Sequence, residues 1–185
     1  MFITPLSPPY TPDQEATLKK WMPPGSTIEP PLLFRLLSTN PALSESMMPI
    51  GGYFLGRQKD FSVRIREIII LRVTAQRGCE YEWGIHVTAF AKQAELTPEQ
   101  IHDTCSDTVN AMLWPDEERA VIEACDQLSA TSNLDEAAKS ALKKHFADAA
   151  ILSMITIIGW YGIISMIGNS TCETLEPWGA KFPKP

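Results

Sequence analysis

The sequence lacks the residue spacings that mark a zinc protein or a nucleic-acid binder. Its three histidines, at 86, 102 and 145, form no HxxxH or HExxH pattern, and its four cysteines, at 79, 105, 125 and 172, include no CxxC pair. That excludes the usual zinc frameworks, and neither a metal nor a cofactor is expected. A net charge of -6, with Arg57, Arg64, Arg66, Arg72 and Arg77 scattered among apolar residues, leaves no basic stripe for nucleic acid. Apolar and polar residues nowhere alternate with period two, and there is no internal repeat and no low-complexity tract. The opening Met1-Phe2-Ile3-Thr4-Pro5 lacks the basic start and apolar core of a signal peptide. Sparse, unpatterned cysteines suit a reducing compartment, so a cytoplasmic location is expected.

What is present points to helices. The chain has 185 residues, 44% of them hydrophobic and 21% charged, enough for one domain with a real core. Eight of its fifteen prolines fall within the first 31 residues. Proline breaks helix interiors, so residues 1–31 read as an extended arm with one short helix, from Thr11 to Met22, lying over the body or over a neighbouring subunit. Residues 32–176 read as an all-α domain. Helices are expected over 32–37, through Met48 and Ile50 to Leu55, and from Ser62 to Gln76. Further ones are expected from Cys79 or Glu80 to Ala94, over 98–105, from Trp114-Pro115 to Ala130, over 134–146 and over 148–167. Residues 177–185 read as an irregular tail. From Ala149 to Gly168 the chain runs twenty residues without a charge, long enough to span a bilayer. Its serines, threonine and glycines, with no basic anchor at the far end, favour a buried helix at the centre of a helical oligomer over a membrane span.

The chemistry concentrates in one hairpin. Cys79, Glu82 and His86 are spaced i, i+3, i+7, which stacks them on one helix face. Glu82, one turn before His86, is placed to hydrogen-bond an imidazole nitrogen, orient the ring and raise its pKa. Glu67 lies in the preceding helix within the Ile68-Ile69-Ile70-Leu71 run, where burial favours a proton-bearing carboxyl. Arg64, on its stripe, would oppose that or form a structural ion pair with it. Cys79, after Gly78 and near a helix start, is either a thiol with a lowered pKa or a small buried hydrophobe. Trp83 and Phe90 read as packing or as a wall for substrate, and Tyr161 on the last helix is within reach of a pocket. Arg64 and Arg72 are candidates to hold a substrate carboxylate.

These residues resemble the carboxymuconolactone decarboxylase superfamily, which includes the AhpD-type alkylhydroperoxidases. The resemblance rests on Arg64-Ile65-Arg66-Glu67-Ile68-Ile69-Ile70-Leu71-Arg72-Val73, on Cys79-Glu80-Tyr81-Glu82-Trp83, and on His86 and Ala91. Leu96-Thr97-Pro98-Glu99-Gln100-Ile101 continues it, with Leu33-Phe34-Arg35-Leu36-Leu37 and Gly52-Tyr53-Phe54-Leu55 upstream. It is strongest over residues 32–105 and thinner to 176. It implies an AhpD-like helical protomer that assembles as a trimer or hexamer. In the peroxidase branch a glutamate, a CxxC pair and a histidine recur. Glu67, Cys79 and His86 fall on those positions here, but Glu82 replaces the second cysteine, which places the chain outside the CxxC branch and disfavours a disulfide relay in this hairpin.

Three functional readings follow. The first is a cofactor-free decarboxylase or related proton-transfer enzyme for a small carboxylated lactone or keto acid. His86 would be its acid or base, Glu82 its orienting group, Glu67 a second proton carrier and Cys79 a pocket wall or weak donor. The second is a peroxide-reducing or peroxide-sensing protein using Cys79. The third is a non-catalytic oligomeric scaffold or ligand-binding protein whose polar cluster is a buried hydrogen-bond network.

Overall fold

The structure is a computed structural model and describes residues 2–184. The described residues fold into helices and turns with no strand. In chain order the helices are α1 (Pro12–Trp21), α2 (Leu32–Leu37), α3 (Pro41–Gly52), α4 (Val63–Gln76), α5 (Glu80–Phe90), α6 (Pro98–Asp103), α7 (Asp116–Thr131), α8 (Glu136–His145) and α9 (Asp148–Thr171). The fold class is all-α, as the periodicity predicts.

Local chemistry sets these boundaries. Thr11 and Thr97 each make a capping box with a glutamine three residues on, followed at once by proline, which starts α1 and α6. Ser62 caps α4, its hydroxyl accepting the Ile65 amide at 3.2 Å. Gly78, at φ +63°, turns the chain from α4 into α5. Several expected helices, α6 and α8 among them, are shorter than their patterns. The helix through Met48 passes at Tyr53 into a π-turn, Tyr53–Arg57. The one expected to reach Ala94 ends at Phe90; beyond it Glu95 adopts a left-handed backbone, and Ala94 and Leu96 on either side of it are buried in the core.

Helix α4 is the axle: Ile68, Ile69, Ile70, Leu71 and Val73 are completely buried, and α5, α7 and α9 pack around it. Two ion pairs staple it to α7. Arg64 grips Glu118 at 2.5 and 3.1 Å, and Arg72 grips Asp126 at 2.6 and 2.9 Å. Both pairs join residues 54 apart in sequence, so the two helices run parallel and in register.

The proline-rich arm packs on its own chain. Leu18 is buried, the Trp21 indole donates to Ser44 at 2.7 Å, and Trp21 stacks on Phe34. Helix α9 is long and apolar enough to cross a membrane by length and composition, and half of its most apolar stretch is buried inside the fold. Leu152, Ile155, Ile163 and Met166 face outward from it.

The tail is irregular, but it is not loose. The Glu176 carboxylate accepts the Leu32 amide at 2.6 Å and the Tyr81 hydroxyl at 2.7 Å. Beyond it the chain straps across the back of α5. Ala180 donates to the Gly84 carbonyl at 3.1 Å, Phe182 donates to Glu80 at 2.7 Å, and the Phe182 ring packs on Trp83. Only glycine permits this approach, since a Cβ at Gly84 would lie 2.0 Å from the Ala180 carbonyl oxygen. Gly84→Ala is therefore expected to lift the strap, lowering stability by about 1–3 kcal/mol as overpacking does. Urea denaturation and limited proteolysis check this: the variant's tail should be clipped first, and an unchanged midpoint with a protected tail contradicts the strap.

Candidate active site

The α4–α5 hairpin and the middle of α9 meet around one imidazole. His86 projects from α5 with only 2% of its surface exposed, and Glu67, fully buried, projects toward it from α4. His86 Nδ1 lies 2.7 Å from Glu67 Oε2. On the other side of the ring, Nε2 lies 3.1 Å from the Tyr161 hydroxyl of α9 and 3.5 Å from Glu82 Oε1, one turn back on α5. The second Glu67 oxygen accepts the Arg66 Nε–H at 2.6 Å, and Arg66 also donates to the Leu55 carbonyl at 3.1 Å. Phe90 closes the site, its ring 5.2 Å from the imidazole and 5.1 Å from the Arg66 guanidinium.

The electrostatics follow from this packing. Burial alone would push the His86 pKa down, but the Glu67 carboxylate on one nitrogen and Glu82 near the other outweigh it and raise the value to about 9. At neutral pH the ring is therefore an imidazolium, donating from Nδ1 to Glu67 and presenting its Nε2–H toward Tyr161 and Glu82. Burial, reinforced by the Glu82 and Glu67 carboxylates, holds the Tyr161 phenol well above its ordinary value, so it stays protonated. The assembly is an acid whose proton faces a polar edge of the site.

The structure brings Glu67, Glu82, His86 and Tyr161 together, while Cys79, the cap residue of α5, lies against α9 at Gly168. The other sequence candidates lie elsewhere. Arg64 does not pair with Glu67; besides Glu118 it binds the Ala94 and Glu95 carbonyls, and Arg66 takes its place. Arg72, besides Asp126, donates to the Thr104 and Ser106 carbonyls and lines a separate cleft of about 370 Å³ with Cys105 and Ser129. Both guanidiniums are occupied by internal partners, which corrects the expectation that either holds a substrate carboxylate. Trp83 is buried, donates to the Thr104 hydroxyl at 3.1 Å and packs on Phe182; it is packing and not a substrate wall. Cys79 does not have a lowered pKa. Its burial raises the thiol, outweighing the Glu82 backbone amide that points at the sulfur.

Arg66 was the residue that sequence reasoning missed. Adjacent helix positions do not face each other, so the Arg66-Glu67 step gave no hint of contact. Only the long arginine stem, curling back over Phe90, permits it. Two further clefts, of about 390 Å³ beside the N-terminal arm and 480 Å³ beside α6, likewise stand apart from His86. Among the described residues no three His, Cys, Asp or Glu side chains are grouped to hold a metal ion.

Residues 41–126 match the carboxymuconolactone decarboxylase family. The fold is AhpD-like, so the superfamily resemblance read from the hairpin holds. A protein of unknown function from Agrobacterium tumefaciens, suggested to be the antioxidant defence protein AhpD, superposes with a TM-score of 0.67 at 18% identity, covering 76% of this chain and 94% of its own. An uncharacterized peroxidase-related protein from Silicibacter sp. TM1040 gives 0.77 at 15% identity, covering 94% and 90%. The debrominase Bmp8 gives 0.73 at 18% identity, covering 95% and 92%. A cysteine-to-alanine variant of that debrominase, solved with 2,3,4-tribromopyrrole, gives 0.71 at 17% identity, covering 96% and 93%. No curated protein matches the sequence. At these identities the structural likeness establishes the fold alone.

The His86 geometry predicts how stability varies with pH. Its folded pKa, about 9, lies above its ordinary 6.5. The ion pair's contribution is then full below 6.5 and is lost as pH rises through about 9. Unfolding free energy measured in urea across that window should fall by a few kcal/mol in the wild type, while the His86→Gln profile should be nearly flat. Parallel profiles would remove the imidazolium from the site.

Proposed function

We propose that the protein is an enzyme of cofactor-free proton transfer, a decarboxylase or close relative acting on a small carboxylated lactone or keto acid. The observation that carries this reading is the buried imidazole, with one nitrogen 2.7 Å from Glu67 and the other facing the Tyr161 hydroxyl and Glu82. Loss of carbon dioxide leaves the electrons of the broken C–C bond on an enolate. Its oxygen needs a hydrogen-bond donor, and its carbon needs a proton. The Tyr161 O–H supplies the first and His86 Nε2–H the second. Glu67 holds Nδ1–H throughout, fixing the ring and favouring its charged form before transfer. Glu82, with 10% of its side chain exposed, is the member best placed to return a proton from solvent. Phe90, half-buried over the imidazole, is the side chain that must move aside for a substrate to reach it.

The family match over residues 41–126 is compatible with this chemistry, and Glu82, standing in place of a second cysteine, weighs against a disulfide relay within the hairpin. With Arg64 and Arg72 occupied, recognition of the substrate carboxylate falls to the imidazolium and the phenol. Assembly into a trimer or hexamer, with a second copy covering the outward face of α9, belongs to the same reading.

Turnover of a carboxymuconolactone-type substrate tests it. Wild type should release carbon dioxide, His86→Ala should lose at least about 10²-fold in kcat, and Tyr161→Phe about 10²–10³-fold. An inactive wild type sinks the decarboxylase reading. Equal rates in wild type and His86→Ala remove the imidazole from the mechanism.

A further inference from the structure

The proton-transfer machinery leaves Cys79 unused, and the structure gives it a neighbour. Its sulfur lies against α9 at Gly168, so close that a Cβ built there would sit 3.0 Å from it. One turn further on stands Cys172, whose amide still donates to the Gly168 carbonyl at 2.8 Å. Cys172 is the cap residue of α9, one turn beyond the glycine against which the Cys79 sulfur rests. Gly168, by having no side chain, leaves room for the Cys79 sulfur against this end of α9. Cys172 lies within electrostatic reach of Cys79, and the Glu82 carboxylate acts on both. Cys79 is completely buried, whereas Cys172 is half-buried.

We propose that Cys79 and Cys172 are a dithiol that hydrogen peroxide or an alkyl hydroperoxide converts into a disulfide joining the start of α5 to the end of α9. The half-exposed Cys172 sulfur attacks the terminal peroxide oxygen. The O–O bond breaks, the thiol proton leaves with the departing alkoxide or hydroxide as alcohol or water, and Cys172 becomes a sulfenic acid. The Cys79 sulfur then attacks that sulfur. An S–S bond forms, the S–O bond breaks, and the hydroxyl leaves with the Cys79 proton as water. Each thiol gives up one electron and the peroxide takes up two. Burial pushes the Cys172 thiol up to about 12 and the Cys79 thiol up as well, so both are protonated at rest. The pair therefore oxidises slowly and resists mild alkylation. This inference is independent of the proton-transfer reading, since neither sulfur touches the imidazole chemistry.

Peptide mapping of the full chain after excess hydrogen peroxide, acid quench and alkylation decides it. Of the four free cysteines, Cys79 and Cys172 should disappear together into one cross-linked peptide that dithiothreitol restores. Cys79→Ser should leave Cys172 as a sulfenic acid trapped by dimedone, and Cys172→Ser should leave Cys79 as a thiol. Four intact thiols after prolonged exposure, or a cross-link between Cys105 and Cys125 instead, would overturn the proposal.

Discussion

The structure turns on a charge placed where solvation is poorest. Glu67 sits in the most apolar run of the axle helix, fully buried, with neither oxygen facing water. A lone carboxylate there would cost several kcal/mol, and the fold meets that cost with cations on both oxygens, Arg66 on one and His86 on the other. His86 in turn needs an acceptor for its second nitrogen, and finds it in Tyr161 and Glu82. Two cations and two carboxylates thus interlock, each held by a partner from elsewhere in the cluster. Such a group is costly to break, because removing any member strands a buried charge. The same interdependence fixes the imidazole to the tolerance that chemistry requires.

The arginines show how one sequence motif separates into two kinds of task. Arg64, Arg66 and Arg72 look alike in the chain, yet only Arg66 faces the reaction centre. The outer two clamp the axle to α7 at two points along its length, and each is satisfied by a bidentate carboxylate and two backbone carbonyls. By holding α7 parallel to α4 they keep the run between them free of slippage, so that Glu67 stays opposite His86. Stability and reactivity occupy the same helix on different faces.

Much of this was legible in the chain. Proline after threonine at 11 and 97, serine at 62 and glycine at 78 mark element ends by local backbone chemistry, and the helices begin or turn there. The one-turn spacing placed Glu82 beside His86. What stayed hidden depends on contacts between distant segments. Glu118 and Asp126 lie in a helix whose sequence shows only an ordinary amphipathic pattern, so nothing betrayed that they would claim Arg64 and Arg72. The Cys79 thiol followed burial and not its place at a helix start, because α9 covers it. The strap over Gly84 was equally invisible, since a glycine inside a helix reads as a mere weakness until the chain that crosses it is seen.

That strap and Tyr161 also set an order of events. Glu67 and His86 leave the ribosome before the phenol opposite the ring and before the residues that cross Gly84. Until then the hairpin carries its carboxylates and imidazole without the α9 wall, and water can reach them. The burial of the charge pair is therefore completed only when α9 docks, and a nascent chain stalled before residue 161 would hold the reactive groups in an ordinary, solvated state.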